Sequence, residues 1–245
     1  MTSQTINTTA LTETSPRKAA RIAGVGYLII FVLAIFANFV VREGLIDADN
    51  AAATFANIAD SEFLFRAGII AFLAVFIVDV VIAWALYVLF KSVSKELSLL
   101  TGWFRLVYTV FLGVALIFLL VVLDLVSGVG YLTAFEPGQL HAQVMLMLNA
   151  FNYAWLIGLA GFGIHLMLLG YLMLASGTAP RVLSILLAIA GAAYVFDTVA
   201  NALLANYAEY ETVFLLIVAV PSVVAELWFA VWLLTRGGVE QGALQ

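Results

Sequence analysis

The chain has 245 residues, of which 65% are hydrophobic and 10% are charged, and its formal net charge is −5. A soluble globular domain is about half apolar and about a quarter charged. The composition therefore excludes a soluble protein and indicates an integral membrane protein whose partner is the lipid bilayer. The absence of cysteine excludes disulfides, thiolate metal ligands and a thiol nucleophile. No nucleic-acid partner is expected, because the chain is acidic overall.

Six apolar segments each have at least the roughly 20 residues needed to cross the hydrocarbon core. They predict an all-α membrane protein, a six-helix bundle in one domain (residues 17–237), with spans at about 22–41, 63–90, 102–125, 144–174, 182–204 and 213–235. Residues 1–16, rich in Thr and Ser, are predicted to be a disordered cytoplasmic head, and residues 238–245 a cytoplasmic tail. The Ala-rich segment near 49–62 predicts a short interfacial helix on the outer side, capped by Asp49 or Asn50.

The distribution of basic residues predicts the orientation. If the N-terminus is cytoplasmic, only Arg42 and Arg66 fall on the outer side. The eight remaining basic residues lie on or near the inner side: Arg17, Lys18, Arg21, Lys91, Lys95, Arg105, Arg181 and Arg236. Cytoplasmic loops carry an excess of Lys and Arg, so both termini are predicted to be cytoplasmic.

Ionisable residues inside the spans are the first functional candidates, because lipid tolerates them poorly. Counted from the inner ends of their spans, Asp79, His165 and Glu226 each lie roughly 13–17 Å deep at 1.5 Å per residue. Three helices can thus place two carboxyl groups and one imidazole at one level. This set is the candidate proton or cation site.

A second polar set is predicted nearer the outer boundary. Asp124 and Asp197 lie there, Arg66 is able to approach them, and Asn201 continues a polar stripe from Asp197 along one helix face. Asp124 and Arg105 are placed near span ends, where a long side chain reaches the interface. In the competing interpretation, the acids within the spans are protonated and hydrogen-bond between helices, which is a structural role.

Catalytic motifs are absent from the sequence. It has no G-x-S-x-G, no H-E-x-x-H and no phosphate-binding glycine loop followed by Lys. His141 and His165 are 24 residues apart on one predicted helix, or roughly 36 Å, which is too far to share a metal ion. No catalytic residue is assigned, and the sequence leaves any metal ion or cofactor unknown.

Several short motifs are shared with a known family. They are Arg21-Ile-Ala-Gly24 with Tyr27, Phe65-Arg66-Ala-Gly68, Gly163-Ile-His165, Leu169-Gly170-Tyr171, Ser176-Gly177 with Pro180, Ala190-Gly191 with Tyr194, Glu226-Leu-Trp228 and Leu-Leu-Thr-Arg-Gly237. With these motifs the chain resembles the bacterial domain-of-unknown-function family numbered 4386. The resemblance implies a six-helix bundle in the bacterial cytoplasmic (inner) membrane. It implies no activity, substrate or catalytic residue.

Three functions are compatible with the sequence. The leading hypothesis is a small transporter or permease-like protein that handles protons or cations at the intramembrane acids. The alternative is a non-catalytic subunit, sensor or scaffold that forms a homo-oligomer or binds a membrane partner. The third is an enzyme acting on a lipid or quinone, which requires a pocket open to lipid with Asp197 or His165 at its wall.

Overall fold

The computed structural model describes residues 13–239, so most of the predicted head (1–12) and most of the predicted tail (240–245) lie outside the described residues. Between residues 13 and 239 the chain is all-helical and contains no strand. Six of its helices are long and apolar enough to cross a membrane. The predicted fold class, an all-α membrane protein with six spans, is confirmed.

The helices in chain order are α1 (Pro16–Ile35), α2 (Glu43–Leu45), α3 (Ala51–Asp60), α4 (Glu62–Phe90), α5 (Lys95–Val126), α6 (Pro137–Ser176), α7 (Arg181–Leu203) and α8 (Glu211–Thr235). A π-helix, Phe36–Arg42, joins α1 to α2, so that Pro16–Leu45 is one continuous span. Short 3₁₀ segments, Gly130–Ala134 and Tyr207–Tyr210, precede α6 and α8.

Local capping sets where the long helices begin and end. The Ser94 side chain accepts a hydrogen bond from the backbone N–H of Leu97 and starts α5. A capping box between Glu136 and Gln139 starts α6. That helix ends at Gly177, whose φ of 66° lies in the left-handed region that glycine adopts without a Cβ clash.

The six spanning helices form a closed ring. Each packs against its predecessor and its successor, and α8 packs against α1 to close the circle. Arg17 supports this closure, because its guanidinium donates hydrogen bonds to the carbonyls of Leu233 (3.1 Å) and Leu234 (2.7 Å) at the end of α8 and of Gly237 (2.8 Å) just after it. The start of α1 and the end of α8 therefore lie at one end of the bundle, the terminal face. The opposite end is the distal face.

An exposed ion pair lies at the terminal face. Lys91, between α4 and α5, donates a hydrogen bond to Glu13 at 2.7 Å. This bond and the lysine charge hold the pKa of Glu13 below its usual range. Solvent screens such a pair, so it marks proximity rather than a large stabilisation.

Helix α3 covers part of the distal face, where it packs on α4, α5 and α6. Asn50 caps it by accepting from the backbone N–H of Ala53 at 2.9 Å. The Thr54 hydroxyl accepts from the Asp47 N–H at 2.8 Å and donates to the Asp47 carbonyl at 2.9 Å. Thr54 and Ile58 are fully buried, which fixes this short helix against the bundle.

The hydrophobic core differs between the two halves of the ring. Toward the terminal face, all six spanning helices contribute buried residues. Toward the distal face, the core cluster is formed by the π-helix, α2, α3, α4, α5, the 3₁₀ segment Gly130–Ala134 and α6, and it includes no residue of α7 or α8. Among the described residues, the α7–α8 pair is therefore anchored mainly in its terminal half.

Glycines bring α6 and α7 into backbone contact. A Cβ on Gly191 would overlap the Gly163 carbonyl oxygen, and one on Gly170 would lie 2.5 Å from the Ser184 carbonyl oxygen. Small residues at such crossings let two membrane helices approach closely. Backbone of the neighbouring helix in the same chain thus occupies the space beside these glycines.

We expect Gly191→Ala to destabilise the protein, although alanine is the better helix former. The new methyl group meets backbone that cannot move aside cheaply, at a cost of about 1–3 kcal/mol. The control is Gly102→Ala on α5, where the nearest atom to an added Cβ is the Ala83 carbonyl oxygen at 3.7 Å. Thermal unfolding in detergent should show a lower midpoint for Gly191→Ala only. Equal midpoints for the two variants would contradict this account of the α6–α7 contact.

Candidate functional site

Arg105 lies at the centre of the ring, although the sequence placed it near a span end. That expectation does not hold, because the Ser94 cap starts α5 at Lys95 rather than at the predicted residue 102. Ten residues of helix then carry Arg105 roughly 15 Å into the bundle. Its residue is 1% exposed, so its charge is compensated inside the protein rather than at the membrane interface.

The Arg105 guanidinium joins residues from three other helices. Its Nη2 donates to Asp79 Oδ1 of α4 at 2.5 Å, and its Nη1 donates to the Tyr27 hydroxyl of α1 at 2.7 Å. Nη1 also lies 3.2 Å from His165 Nε2 of α6. These four residues are the central cluster. Asp79 and His165 are 1% and 0% exposed, so the charge pair is shielded from both faces.

The hydrogen bonds of His165 determine its tautomer. Nδ1 lies 2.8 Å from the Thr101 carbonyl oxygen. A carbonyl can only accept, so Nδ1 carries the proton; Arg105 can only donate, so Nε2 is unprotonated and accepts. His165 is therefore a neutral imidazole with its proton on Nδ1. It acts as a hydrogen-bond acceptor for the arginine.

Aromatic rings complete the environment of the guanidinium. Its Cζ lies 4.8 Å from the ring centroid of Tyr27 and 5.4 Å from that of Phe162. Phe162 also stacks on His165, with ring centroids 5.6 Å apart. Ring faces attract a cation, so these contacts stabilise the buried charge in addition to the Asp79 carboxylate.

Glu226 faces the central cluster from the far side of the ring. It interacts electrostatically with Arg105, Asp79 and Tyr27, which belong to three different helices, so it lies within electrostatic range of the central cluster. It has no ion-pair or hydrogen-bond partner among residues 13–239. Its residue is partly exposed, whereas Asp79 and Arg105 are fully buried. Glu226 is the acid of this level that no cation neutralises directly.

Two polar atoms of the ion pair are buried without a partner. They are Asp79 Oδ2, which is an acceptor, and Arg105 Nε, which is a donor. A donor and an acceptor of one ion pair match the capacity of one water molecule, which donates and accepts. The pair thus has one unused position for each kind of hydrogen bond.

The residue depths counted along the predicted helices already grouped part of this site. The structure places Asp79 and His165 on the same guanidinium, with Glu226 opposite. Sequence reasoning missed Arg105, because its helix begins earlier than hydropathy indicated, and Tyr27, because a tyrosine in an apolar span is unremarkable. The signals were the Ser94 cap and the position of Tyr27, eleven residues after Pro16 and roughly 16 Å deep.

In the predicted outer polar set, Asp197 and Asn201 share Tyr207 as a partner, and Arg66 pairs with a residue outside the set. Tyr207 donates its hydroxyl proton to Asp197 Oδ1 at 2.6 Å, and Tyr207 also interacts with the Asn201 side chain. Arg66 pairs with Glu62 on its own helix at 2.6 Å, and both side chains are exposed. Neither Asp197 nor the exposed Asp124 forms an ion pair with Arg66. The structure shows a tyrosine–aspartate contact here rather than an arginine site.

Metal-binding geometry is not found in the part of the chain that the structure describes. Residues 13–239 contain no group of three or more His, Asp or Glu side chains placed to hold a metal ion. The chemistry that the central cluster offers is that of a charge pair, a neutral imidazole, a tyrosine hydroxyl and a separate carboxyl group.

The variant Arg105→Gln should lose about 3–5 kcal/mol of unfolding free energy, because it leaves the Asp79 carboxylate buried without its cation. The double variant Asp79→Asn/Arg105→Gln should regain much of this loss, since it removes both charges. Both can be measured by denaturant titration in mixed micelles with circular dichroism.

The matched control is Arg66→Gln, which removes an exposed ion pair and should cost under about 1 kcal/mol. An Arg105→Gln variant as stable as the wild type would contradict the buried ion pair. A double variant whose loss of unfolding free energy equals the sum of the losses in Arg105→Gln and in Asp79→Asn alone would also contradict it.

Comparison with known proteins identifies the family. The sequence profile described as a domain of unknown function, DUF4386, matches residues 22–237. An uncharacterised protein of the archaeon Archaeoglobus fulgidus is 30% identical over 169 residues, which cover 69% of this chain and 83% of that protein. Similar chains are thus not confined to bacteria. No solved structure matches the chain. The chain belongs to the DUF4386 family of membrane proteins of unknown function.

Proposed function

We propose that this protein is a small membrane transporter that carries protons, in which Glu226 exchanges the proton and Arg105 is its charge partner. One observation carries the proposal: a buried arginine pairs with one acid, Asp79, while a second, unpaired acid of another helix lies within its electrostatic range. Ionisable groups in the middle of a membrane are costly and mark proton or ion pathways.

The charge of the cluster favours a proton over a metal cation. Arg105 already compensates Asp79, so a cation at that carboxylate would have to displace a guanidinium held by three partners. With Glu226 ionised, the site has two negative charges and one positive charge. Binding one proton at Glu226 makes it neutral, which a low-dielectric environment favours. This narrows the cation hypothesis from the sequence to a proton.

Two acids are available to Arg105 as ion-pair partners. In the present geometry it holds Asp79 of α4, and Glu226 lies across the ring on α8. An ionised Glu226 attracts the guanidinium and a protonated one does not, so the proton can bias two arrangements of the same cluster. The unused donor of Arg105 and acceptor of Asp79 are suited to a water molecule that connects the groups.

The packing of α8 is suited to movement. In its distal half Phe214 and Val218 are buried, but they lie outside the continuous core cluster of that end of the ring. Pro221 lies inside the helix, five residues before Glu226, and lacks the N–H that would bond to the preceding turn. A helix that carries a proline close to its intramembrane acid and whose distal half lies outside the main core can bend about that point.

We place the carrier in the cytoplasmic membrane of a prokaryotic cell with both termini in the cytoplasm. The bundle brings the two terminal ends together, and seven basic residues lie toward this terminal face: Arg17, Lys18, Arg21, Lys91, Lys95, Arg181 and Arg236. Arg42 and Arg66 lie toward the distal face. Without Arg105, which lies mid-span, the excess of positive charge still favours a cytoplasmic terminal face.

The two other functions find less support. The close glycine contacts of α6 and α7 are made within the chain, and a homo-oligomer or a membrane partner stays a prediction. Two apolar grooves open on outer helix faces, one along Trp103 to Phe111 and one along Val182 to Ile189. Neither is lined by Asp197 or His165, the residues that an enzyme acting on a lipid or quinone was expected to use.

The test is proton uptake into proteoliposomes that enclose a pH-sensitive dye, driven by a potassium diffusion potential. Wild-type protein should acidify the lumen faster than protein-free vesicles do, and Glu226→Gln should reduce the rate to that background. Glu211→Gln is the matched control, because it makes the same change on an exposed residue of the same helix. A wild-type rate equal to the background, or an unchanged rate for Glu226→Gln, would overturn the proposal.

A further inference from the structure

A second arginine, Arg42, lies partly buried at the end of the π-helix. Its Nη1 donates to Asn38 Oδ1 at 3.0 Å, and its Nη2 donates to the side-chain oxygen of Asn152 on α6. The amide group of Asn38 donates in turn to the Ala34 carbonyl at 3.0 Å, which directs its oxygen toward the guanidinium. Arg42 therefore has two neutral acceptors and, among the described residues, no carboxylate paired with it.

Aromatic side chains form the wall behind this guanidinium. Its Cζ lies 4.6 Å from the ring centroid of Phe151 and 5.7 Å from that of Trp155. Phe151 is fully buried, and its ring packs edge-on against Trp155 at 5.4 Å. The arginine is thus held in a fixed orientation by two helices rather than extended freely into solvent.

Two buried N–H groups of this site have no hydrogen-bond partner. They are Arg42 Nε and Trp155 Nε1, and both are donors only. The central cluster differs, since one of its unused atoms is a donor and the other is an acceptor. Two spare donors beside a guanidinium whose acidic neighbour, Glu43, forms no ion pair with it favour a ligand that accepts hydrogen bonds and carries negative charge.

The site lies at the depth of lipid headgroups. Arg42 is fifteen residues beyond Tyr27, and Asn152 is thirteen residues before His165, so each lies roughly 20 Å from the level of the central cluster. Half of the hydrocarbon core is only about 15 Å thick. Counts along two separate helices therefore agree that the guanidinium is at the distal membrane interface.

We propose that Arg42, Asn152 and Trp155 form a binding site for a phosphate oxyanion at the distal interface. The guanidinium neutralises the phosphate, and Arg42 Nε–H and Trp155 Nε1–H donate to its oxygens. The π-helix presents the arginine here, and such segments occur often at functional sites. The phosphate belongs to an anionic lipid headgroup or to a small soluble phosphate, and these two sources share the same recognition chemistry. The site is independent of the proton exchange at Glu226.

The experiment compares the purified wild type, Arg42→Gln and Arg66→Gln. Arg66 is the matched control, because it lies at about the same depth but is exposed and already paired with Glu62. Native mass spectrometry measures retention of phosphatidylglycerol against phosphatidylcholine. Fluorescence of Trp155 measures binding of inorganic phosphate, with Trp155→Phe as the blank.

Arg42→Gln should weaken binding of the effective probe roughly tenfold or more, because it removes a charge-assisted hydrogen bond, and Arg66→Gln should leave it unchanged. Selective retention of phosphatidylglycerol assigns the site to lipid, and saturable quenching by inorganic phosphate assigns it to a soluble ligand. Arg42→Lys keeps the positive charge and loses the planar guanidinium, so its binding of the probe should be intermediate. It replaces Arg42→Gln in the comparison if that variant does not fold. The proposal is overturned if neither probe binds the wild type, or if Arg42→Gln and Arg66→Gln behave alike.

Discussion

A guanidinium in the centre of a membrane protein must be compensated there, and this requirement organises the bundle. The electrostatic cost of an unpaired charge in a low-dielectric interior is far larger than any single packing contact. Arg105 meets it with a carboxylate from α4, a hydroxyl from α1 and an imidazole from α6. Four of the six spanning helices are thereby held in one register at mid-depth, and the ring of apolar side chains closes around them.

The same requirement determines the roles of the surrounding groups. His165 accepts from the arginine only because its own proton is directed to the Thr101 carbonyl. Tyr27 and Phe162 present ring faces to the charge. Glu226, the remaining acid at this level, is attracted by Arg105 but not bound to it, so it retains the freedom to gain or lose a proton. A structural ion pair and a separate titratable acid in one cluster are what a proton-dependent rearrangement requires.

Hydropathy was sufficient for the fold, since six long apolar segments form helices in lipid. Counting depth along those helices also placed Asp79, His165 and Glu226 at one level. It failed for Arg105, because hydropathy locates the apolar stretch rather than the helix start, and α5 begins seven residues before the predicted span. It also placed Arg66 with acids of other helices, although Glu62 lies one helical turn away and pairs with it. Counting residues along a single helix does not show which helices pack together, so it did not predict the Arg42 site.

The most direct test of the central claim is ¹⁵N solid-state NMR of histidine-labelled protein in bilayers, with His141→Gln used to assign His165. The account predicts a neutral imidazole with its proton on Nδ1 and an unprotonated, hydrogen-bonded Nε2. It also predicts that the Nε2 signal moves in Arg105→Gln. A proton on Nε2, a doubly protonated ring, or a signal that is unaffected by Arg105→Gln would contradict the arginine-centred cluster.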